Sequence, residues 1–72
     1  MPTTEEIKQR IEAAIPGARA EVSGGNDHFK ATVTAAAFAD HTRIEQHRLV
    51  YAVFGEELGG EIHALSLKTQ VA

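Results

Sequence analysis

The chain has 72 residues, a net charge of −3 and no cysteine. Its length predicts one small domain over residues 1–72, and 43% hydrophobic with 24% charged residues is typical of a globular protein. Without cysteine the chain cannot form a disulfide or supply a thiolate, which agrees with a reducing, cytoplasmic location. The sequence has no long apolar run and no basic and apolar leader, so we expect neither a membrane span nor a secretory signal.

The first predicted element is an amphipathic helix near the start of the chain. Thr3 and Glu6 have the spacing of a capping box, which marks a helix N-terminus. Ile7, Ile11 and Ile15 then recur at every fourth position and form one apolar stripe. A proline–glycine pair follows directly, and we expect the helix to end there.

A β-hairpin is predicted next. Apolar and polar residues alternate over residues 18–23 and again over residues 28–35, which is the pattern of strands with one buried face. Residues 24–27 (GGND) lie between them and favour a tight turn because they tolerate positive φ. In the second strand we expect Phe29, Ala31, Val33 and Ala35 on the core side, and His28, Lys30, Thr32 and Thr34 on the open side.

From about Thr42 the apolar pattern changes to a helical period. We expect Gly55 to interrupt this second helix and the glycine pair at residues 59–60 to end it. A third strand is predicted over about residues 61–69. The residues placed on the buried stripe of the helix are Ile44, His47, Val50, Tyr51, Val53, Phe54 and Leu58.

The order of these elements predicts the architecture. A helix between the second and third strands implies a parallel, right-handed crossover. The fold class is therefore α+β, a single domain with a three-stranded mixed sheet, helices on one face and the other face open to solvent. The serines and threonines have no histidine and aspartate at the spacing of a hydrolase, so we expect no enzyme.

Four segments stand out by their order and spacing. They are residues 23–29 (SGGNDHF), 47–51 (HRLVY), 56–58 (EEL) and 62–65 (IHAL). Together they resemble the BolA family over nearly the whole chain. The resemblance implies an α-β-β-α-α-β fold similar to a type II KH domain. It also implies a heterodimer with a monothiol glutaredoxin, in which the two proteins share a [2Fe-2S] cluster that glutathione helps to ligate.

The resemblance also suggests the cluster ligands. It assigns one ligand to His63, in the IHAL segment. A second usually lies in the loop between the first two strands, where His28 is the nearest candidate and Asp27 an oxygen alternative. Imidazole nitrogens from this chain would bind one iron, while the partner and glutathione supply thiolates. Because protons compete with metals for imidazole, such a cluster should weaken at acidic pH.

Both histidines also have ordinary explanations. Without the resemblance, His63 is more simply a strand residue that hydrogen-bonds beside Leu65 and Leu67, and His28 is a solvated hairpin residue. Strict alternation would place His63 with those two leucines on one face of the strand, and Ile62 on the other. Both faces cannot be core, so we expect a bulge near Ala64 that redirects the strand.

Two residues of the second helix, His47 and Arg48, are our candidates for partner contact. The alternative for His47 is a structural role, with a ring nitrogen hydrogen-bonded to backbone or a carboxylate. Arg48 could form a small basic patch with Arg43. Since Glu45 lies nearby, a solvated surface of mixed charge is the alternative there.

The sequence thus predicts a non-enzymatic partner of a monothiol glutaredoxin that coordinates, delivers or senses a shared [2Fe-2S] cluster. The competing hypothesis is a KH-like nucleic-acid module that regulates transcription. Against it, the chain is acidic and lacks the Gly-x-x-Gly segment with which KH domains clamp a nucleic-acid backbone. A third hypothesis is a stress-response interaction domain that binds no metal.

Overall fold

In the computed structural model of the protein, which describes residues 2–25, 28–60, 62 and 64–72, two α-helices pack on one face of a three-stranded sheet. This confirms the predicted α+β fold. Two short 3₁₀ helices, Ala36–Asp40 and Gly55–Glu57, flank the second α-helix. The helices and strands are α1 (Thr4–Ala14), β1 (Arg19–Gly25), β2 (His28–Ala35), α2 (Arg43–Phe54) and β3 (Ala64–Val71).

Helix α1 begins and packs as its sequence predicts. The Thr3 side chain accepts a hydrogen bond from the Glu6 amide at 3.1 Å, which satisfies one of the free N–H groups of the first turn. Ile7, Ile11 and Ile15 are all buried against the sheet. The predicted apolar stripe is therefore confirmed.

The sheet has the order β1-β2-β3. Strands β1 and β2 are antiparallel, from the pair Arg19 and Thr34 to the pair Gly25 and His28. Strand β3 lies parallel to β2, which confirms the mixed sheet predicted from the helical crossover. The side chains that point away from the helices are exposed or half-buried along all three strands, so no described element covers this face of the sheet. The core residues of β2 are those predicted, Phe29, Ala31, Val33 and Ala35.

Helix α2 begins with a complete capping box. The Glu45 amide donates to the Thr42 hydroxyl at 3.2 Å, and the Thr42 amide donates to the Glu45 carboxylate at 2.8 Å. At the other end Gly55 has a positive φ of 55° and stops the α-helix. The resemblance implied two consecutive helices between the second and third strands. In the structure the second of these helices is a single 3₁₀ turn, Gly55–Glu57.

The buried stripe of α2 differs from the prediction at its start. The row that faces the core is Gln46, Val50 and Phe54, while Ile44 is 65% exposed. Ile44 precedes Gln46 by two residues, which is about 200° around a helix, so one of them must face solvent. Placing Ile44 on the stripe was wrong because the position that faces the core is occupied by a polar residue.

Gln46 is buried because all its hydrogen-bonding groups find partners. Its amide nitrogen donates to the carbonyl oxygens of Phe38 and His41, each at 3.0 Å. Its carbonyl oxygen accepts from the Thr69 hydroxyl at 2.6 Å. A buried polar group that is satisfied in this way avoids the usual desolvation penalty. Gln46 thus joins α2 to β3 and to the end of the first 3₁₀ helix.

Strand β3 begins at Ala64, later than the predicted start at residue 61. Ile62 is fully buried but belongs to the preceding turn, where it pairs with Leu58 and its amide donates to the Glu57 carbonyl at 3.0 Å. From Ala64 the pairing with β2 is continuous, and the bulge expected near Ala64 would involve His63, which lies outside the described residues. Ile62 and Leu65 are both buried, Ile62 in the turn before the named strand and Leu65 within the strand. Among the described residues, no helix is long and apolar enough to span a membrane.

Candidate metal site

The open face of the sheet arranges its side chains in rows across the three strands. The Thr34 hydroxyl donates to Gln70 Oε1 at 3.3 Å, as expected for partners on one face. From β1 through β2 to β3, the rows are Arg19, Thr34 and Gln70; Glu21, Thr32 and Lys68; Ser23, Lys30 and Ser66; and Gly25, His28 and Ala64.

His28 occupies the last of these rows. It is the first residue of β2, its side chain is exposed, and its pairing partners are Gly25 on β1 and Ala64 on β3. A cavity of about 460 Å³ opens beside it. His28 is therefore accessible to a ligand or partner that approaches the open face.

The close approach that shapes this end of the hairpin requires glycine at position 24. Gly24 has a φ of 119°, and a Cβ atom added there would lie 2.3 Å from the His28 carbonyl oxygen. Only glycine adopts such a backbone and leaves room for the neighbouring strand. Gly24, which lies in β1 and not in the predicted turn, thus sets the position of His28.

The other two predicted ligands, His63 and Asp27, lie outside the described residues. In the chain His63 directly precedes Ala64, the residue that pairs with His28. Within the part of the chain that the structure describes, no group of three or more His, Cys, Asp or Glu residues could hold a metal ion. His28 is the predicted ligand whose surroundings the structure gives.

His47 and Arg48 lie on α2, away from the His28 row. The half-buried His47 ring packs edge-on against Tyr51, with ring centroids 6.4 Å apart at 84°. The Tyr51 hydroxyl in turn donates to the Leu65 carbonyl at 2.9 Å. His47 therefore packs through its ring, and the expected hydrogen bond from a ring nitrogen to backbone or a carboxylate is not found among the described residues. Arg48 is exposed.

Neighbouring groups lower the pKa values of two carboxylates, Glu12 and Glu45. Both residues lie away from the His28 row. The Thr42 amide, and then the charge of His41 at 3.6 Å, hold the pKa of Glu45 below its usual value, against partial desolvation. Hydrogen bonds from Lys8 and from the Ala20 amide lower the pKa of Glu12. The pKa shift of Glu45 comes from its role in capping α2. The pKa shift of Glu12 comes from hydrogen bonds within α1 and between α1 and β1.

Sequence reasoning placed Lys30 on the same face as His28 but included neither it nor two neighbouring serines in the candidate site. Ser23, Lys30 and Ser66 line the same cavity as His28. Alternation within β2 places Lys30 on the same face as His28, and this signal was present in the sequence. The two serines could not be assigned because the register between strands was unknown.

Comparison with known proteins identifies the family. The sequence profile described as BolA-like protein matches residues 4–72. The chain belongs to the BolA-like family. It is 30% identical to human BolA-like protein 1 over 79 aligned residues, which cover 96% of this chain and 58% of that protein. The chain thus spans little more than half the length of this relative.

Other relatives support the same assignment. The Escherichia coli protein named DNA-binding transcriptional regulator BolA is 29% identical, with 96% of this chain and 75% of that protein covered. The solved structure of a BolA homologue from Coxiella burnetii superposes with a TM-score of 0.85 at 42% identity, covering 99% of this chain and 92% of that one. An Arabidopsis thaliana BolA1 structure at 19% identity shares the fold, with a TM-score of 0.80 and coverage of 99% and 94%.

Proposed function

We propose that this BolA-like chain is a non-enzymatic partner of a monothiol glutaredoxin and coordinates, delivers or senses a [2Fe-2S] cluster that the two proteins share. The observation that carries the proposal is the pairing of exposed His28 with Ala64, the residue that follows His63 in the chain. His28 and the residue that follows His63 in the chain are therefore neighbours at one end of the open sheet face, although they are far apart in sequence.

The donor set of the chain fits a shared cluster. Iron–sulfur clusters are usually held by thiolates, and this chain has no cysteine. His63 and His28 would supply nitrogen to one iron, while the glutaredoxin and glutathione supply thiolates to the other. In Rieske centres two histidines on one iron raise the reduction potential relative to clusters held by cysteine alone.

The position of His28 fits a site completed by a second protein. A ligand on an exposed strand end can be reached without unfolding, and no described element covers the open face. Partner contact through Arg48 and His47 remains part of the proposal. Arg48 is exposed on α2, and His47 lines a cavity of about 220 Å³ between α2 and β3.

The proposal is tested by assembling the heterodimer with iron, sulfide and glutathione. We expect a visible absorption spectrum that differs from that of the glutaredoxin homodimer and reverts towards it with His63→Ala. His28→Ala should weaken the difference. His41→Ala is the matched control, because His41 is exposed and follows the opposite end of β2. A heterodimer spectrum that neither His63→Ala nor His28→Ala alters would contradict the ligand assignment.

A second candidate function is nucleic-acid binding. The open face carries Arg19, Lys30 and Lys68 against one carboxylate, Glu21, and the E. coli relative is named as a DNA-binding regulator. The net charge of −3 opposes a polyanion, so we rank this function second. Binding to duplex DNA that weakens steeply with salt would support it, and no binding at low salt would remove it.

A further inference from the structure

One row of the open face places a lysine between two serines. The register pairs Lys30 with Ser23 on β1 and with Ser66 on β3, and all three residues are exposed. Paired residues on neighbouring strands point to the same face and lie about 5 Å apart. Lys30 is therefore flanked in its row by two residues whose hydroxyls can donate hydrogen bonds.

This row and His28 line a single cavity. Its volume is about 460 Å³, and Gly24 and Ala64 complete much of its wall. Volumes of about 300–1,000 Å³ are usual for small-molecule sites. Phe29 also lines the cavity, so apolar wall is available for the body of a small ligand beside the charged group.

The charge of Lys30 is not neutralised by a described carboxylate. Glu21 lies one row away on β1, yet no described acidic group comes within the 4.0 Å ion-pair distance of the Lys30 ammonium. By contrast, Lys8 and Arg10 are ion-paired with Glu12 and Glu57. Lys30 is therefore a positive charge placed beside hydroxyl donors.

We propose that this cavity binds the oxyanion of a small molecule, a carboxylate or a phosphate. The Lys30 ammonium supplies the charge, and the hydroxyls of Ser23 and Ser66 donate hydrogen bonds to the anion oxygens. A small ligand fits better than a polyanion, because Glu21 shares the neighbouring row with Lys68 and the chain as a whole is acidic. The proposal does not rest on the cluster function, since neither Lys30 nor the serines are proposed iron ligands.

The test is a titration of the ¹⁵N-labelled full chain with acetate and, separately, with inorganic phosphate at constant ionic strength. We expect saturable amide shifts confined to residues that line the cavity, with either or both anions. The stronger of the two identifies the oxyanion that the site prefers. Lys30→Gln should weaken binding at least about tenfold, as expected from losing one charge-assisted hydrogen bond, and Ser66→Ala should weaken it less.

Lys68→Gln is the matched control. Lys68 lies on the same face one row away, and its loss should change the affinity by less than about twofold if the site is local. If Lys30→Gln and Lys68→Gln weakened anion binding equally, the anion would be attracted by the overall surface charge and not held at a local site. That result would overturn the proposal. So would the absence of saturable shifts with both anions. The amide spectrum of each variant also reports whether it is folded, and cluster assembly is measured separately.

Discussion

At the scale of single residues, Glu12 shows how one side chain joins two elements. Its carboxylate accepts a hydrogen bond from Lys8 Nζ at 2.7 Å within α1 and another from the Ala20 amide of β1 at 3.0 Å. The second bond satisfies an N–H group on an edge strand. Both interactions favour the ionised carboxylate, which is why the pKa of Glu12 is lowered.

The lowered pKa of Glu12 predicts a pH-dependent contribution to stability. The contribution is present above the pKa of an unfolded glutamate, about 4.3, and is lost as the pH falls through the lower folded value. Glu12→Gln should therefore reduce the free energy of unfolding at pH 7 and change it less at about pH 3. Urea denaturation at the two pH values measures this difference.

Glu21→Gln is the control for Glu12→Gln, because Glu21 is exposed on the open side of the same strand that Glu12 contacts. It should give a smaller loss of stability at pH 7. A loss for Glu12→Gln that is the same at both pH values would show that charge on Glu12 contributes nothing.

Single residues also show what the sequence could not reveal about α2. Periodicity placed the helix correctly because Val50 and Phe54 are apolar and four residues apart. Periodicity did not identify Gln46 as a core position, since glutamine is usually exposed and its hydrogen-bond partners cannot be read from the local sequence. Those partners come from two other segments: Phe38 and His41 from the end of the first 3₁₀ helix, and Thr69 from β3. No local pattern predicts such a network.

At the scale of elements, the hairpin was the most predictable part of the fold. Alternation and the glycine pair gave β2 with the bounds that the structure shows, His28–Ala35. The start of β3 was less predictable because Ile62 continues the apolar run without continuing the strand. The hairpin also positions the candidate site, through the close contact between Gly24 and the His28 carbonyl.

This contact predicts that Gly24→Ala disturbs both stability and the site. The added Cβ would meet the His28 carbonyl oxygen at 2.3 Å, and the backbone φ of 119° is unfavourable for alanine. We expect a loss of about 1–3 kcal/mol in the free energy of unfolding. The amide and ring resonances of His28 should also shift.

Gly25→Ala provides a matched comparison one residue away. A Cβ at position 25 meets nothing within 4 Å, and no positive φ is required there. Its effect on urea unfolding should stay within about 0.5 kcal/mol. If the two alanine variants were equally stable and left His28 equally unperturbed, Gly24 would not set the position of His28.

At the scale of the whole molecule, the fold leaves one sheet face without a cover and brings separate sequence segments to one end of it. The order of elements predicted the parallel neighbours β2 and β3, but not the register that pairs His28 with Ala64. That register depends on packing between the helices and the sheet, which the sequence alone does not give. The thiolates of the proposed cluster site must come from outside the chain, since it has no cysteine.

The central claim is that this chain supplies imidazole nitrogen to a cluster shared with a monothiol glutaredoxin. The most direct measurement is pulsed EPR of the reduced heterodimer, assembled from the ¹⁵N-labelled chain and unlabelled glutaredoxin and glutathione. This ligand assignment predicts strong ¹⁵N couplings typical of ligated imidazole, reduced with His63→Ala or His28→Ala, lost when both are replaced and unchanged with His41→Ala. A cluster that forms in the heterodimer without ¹⁵N coupling from the labelled chain would contradict it.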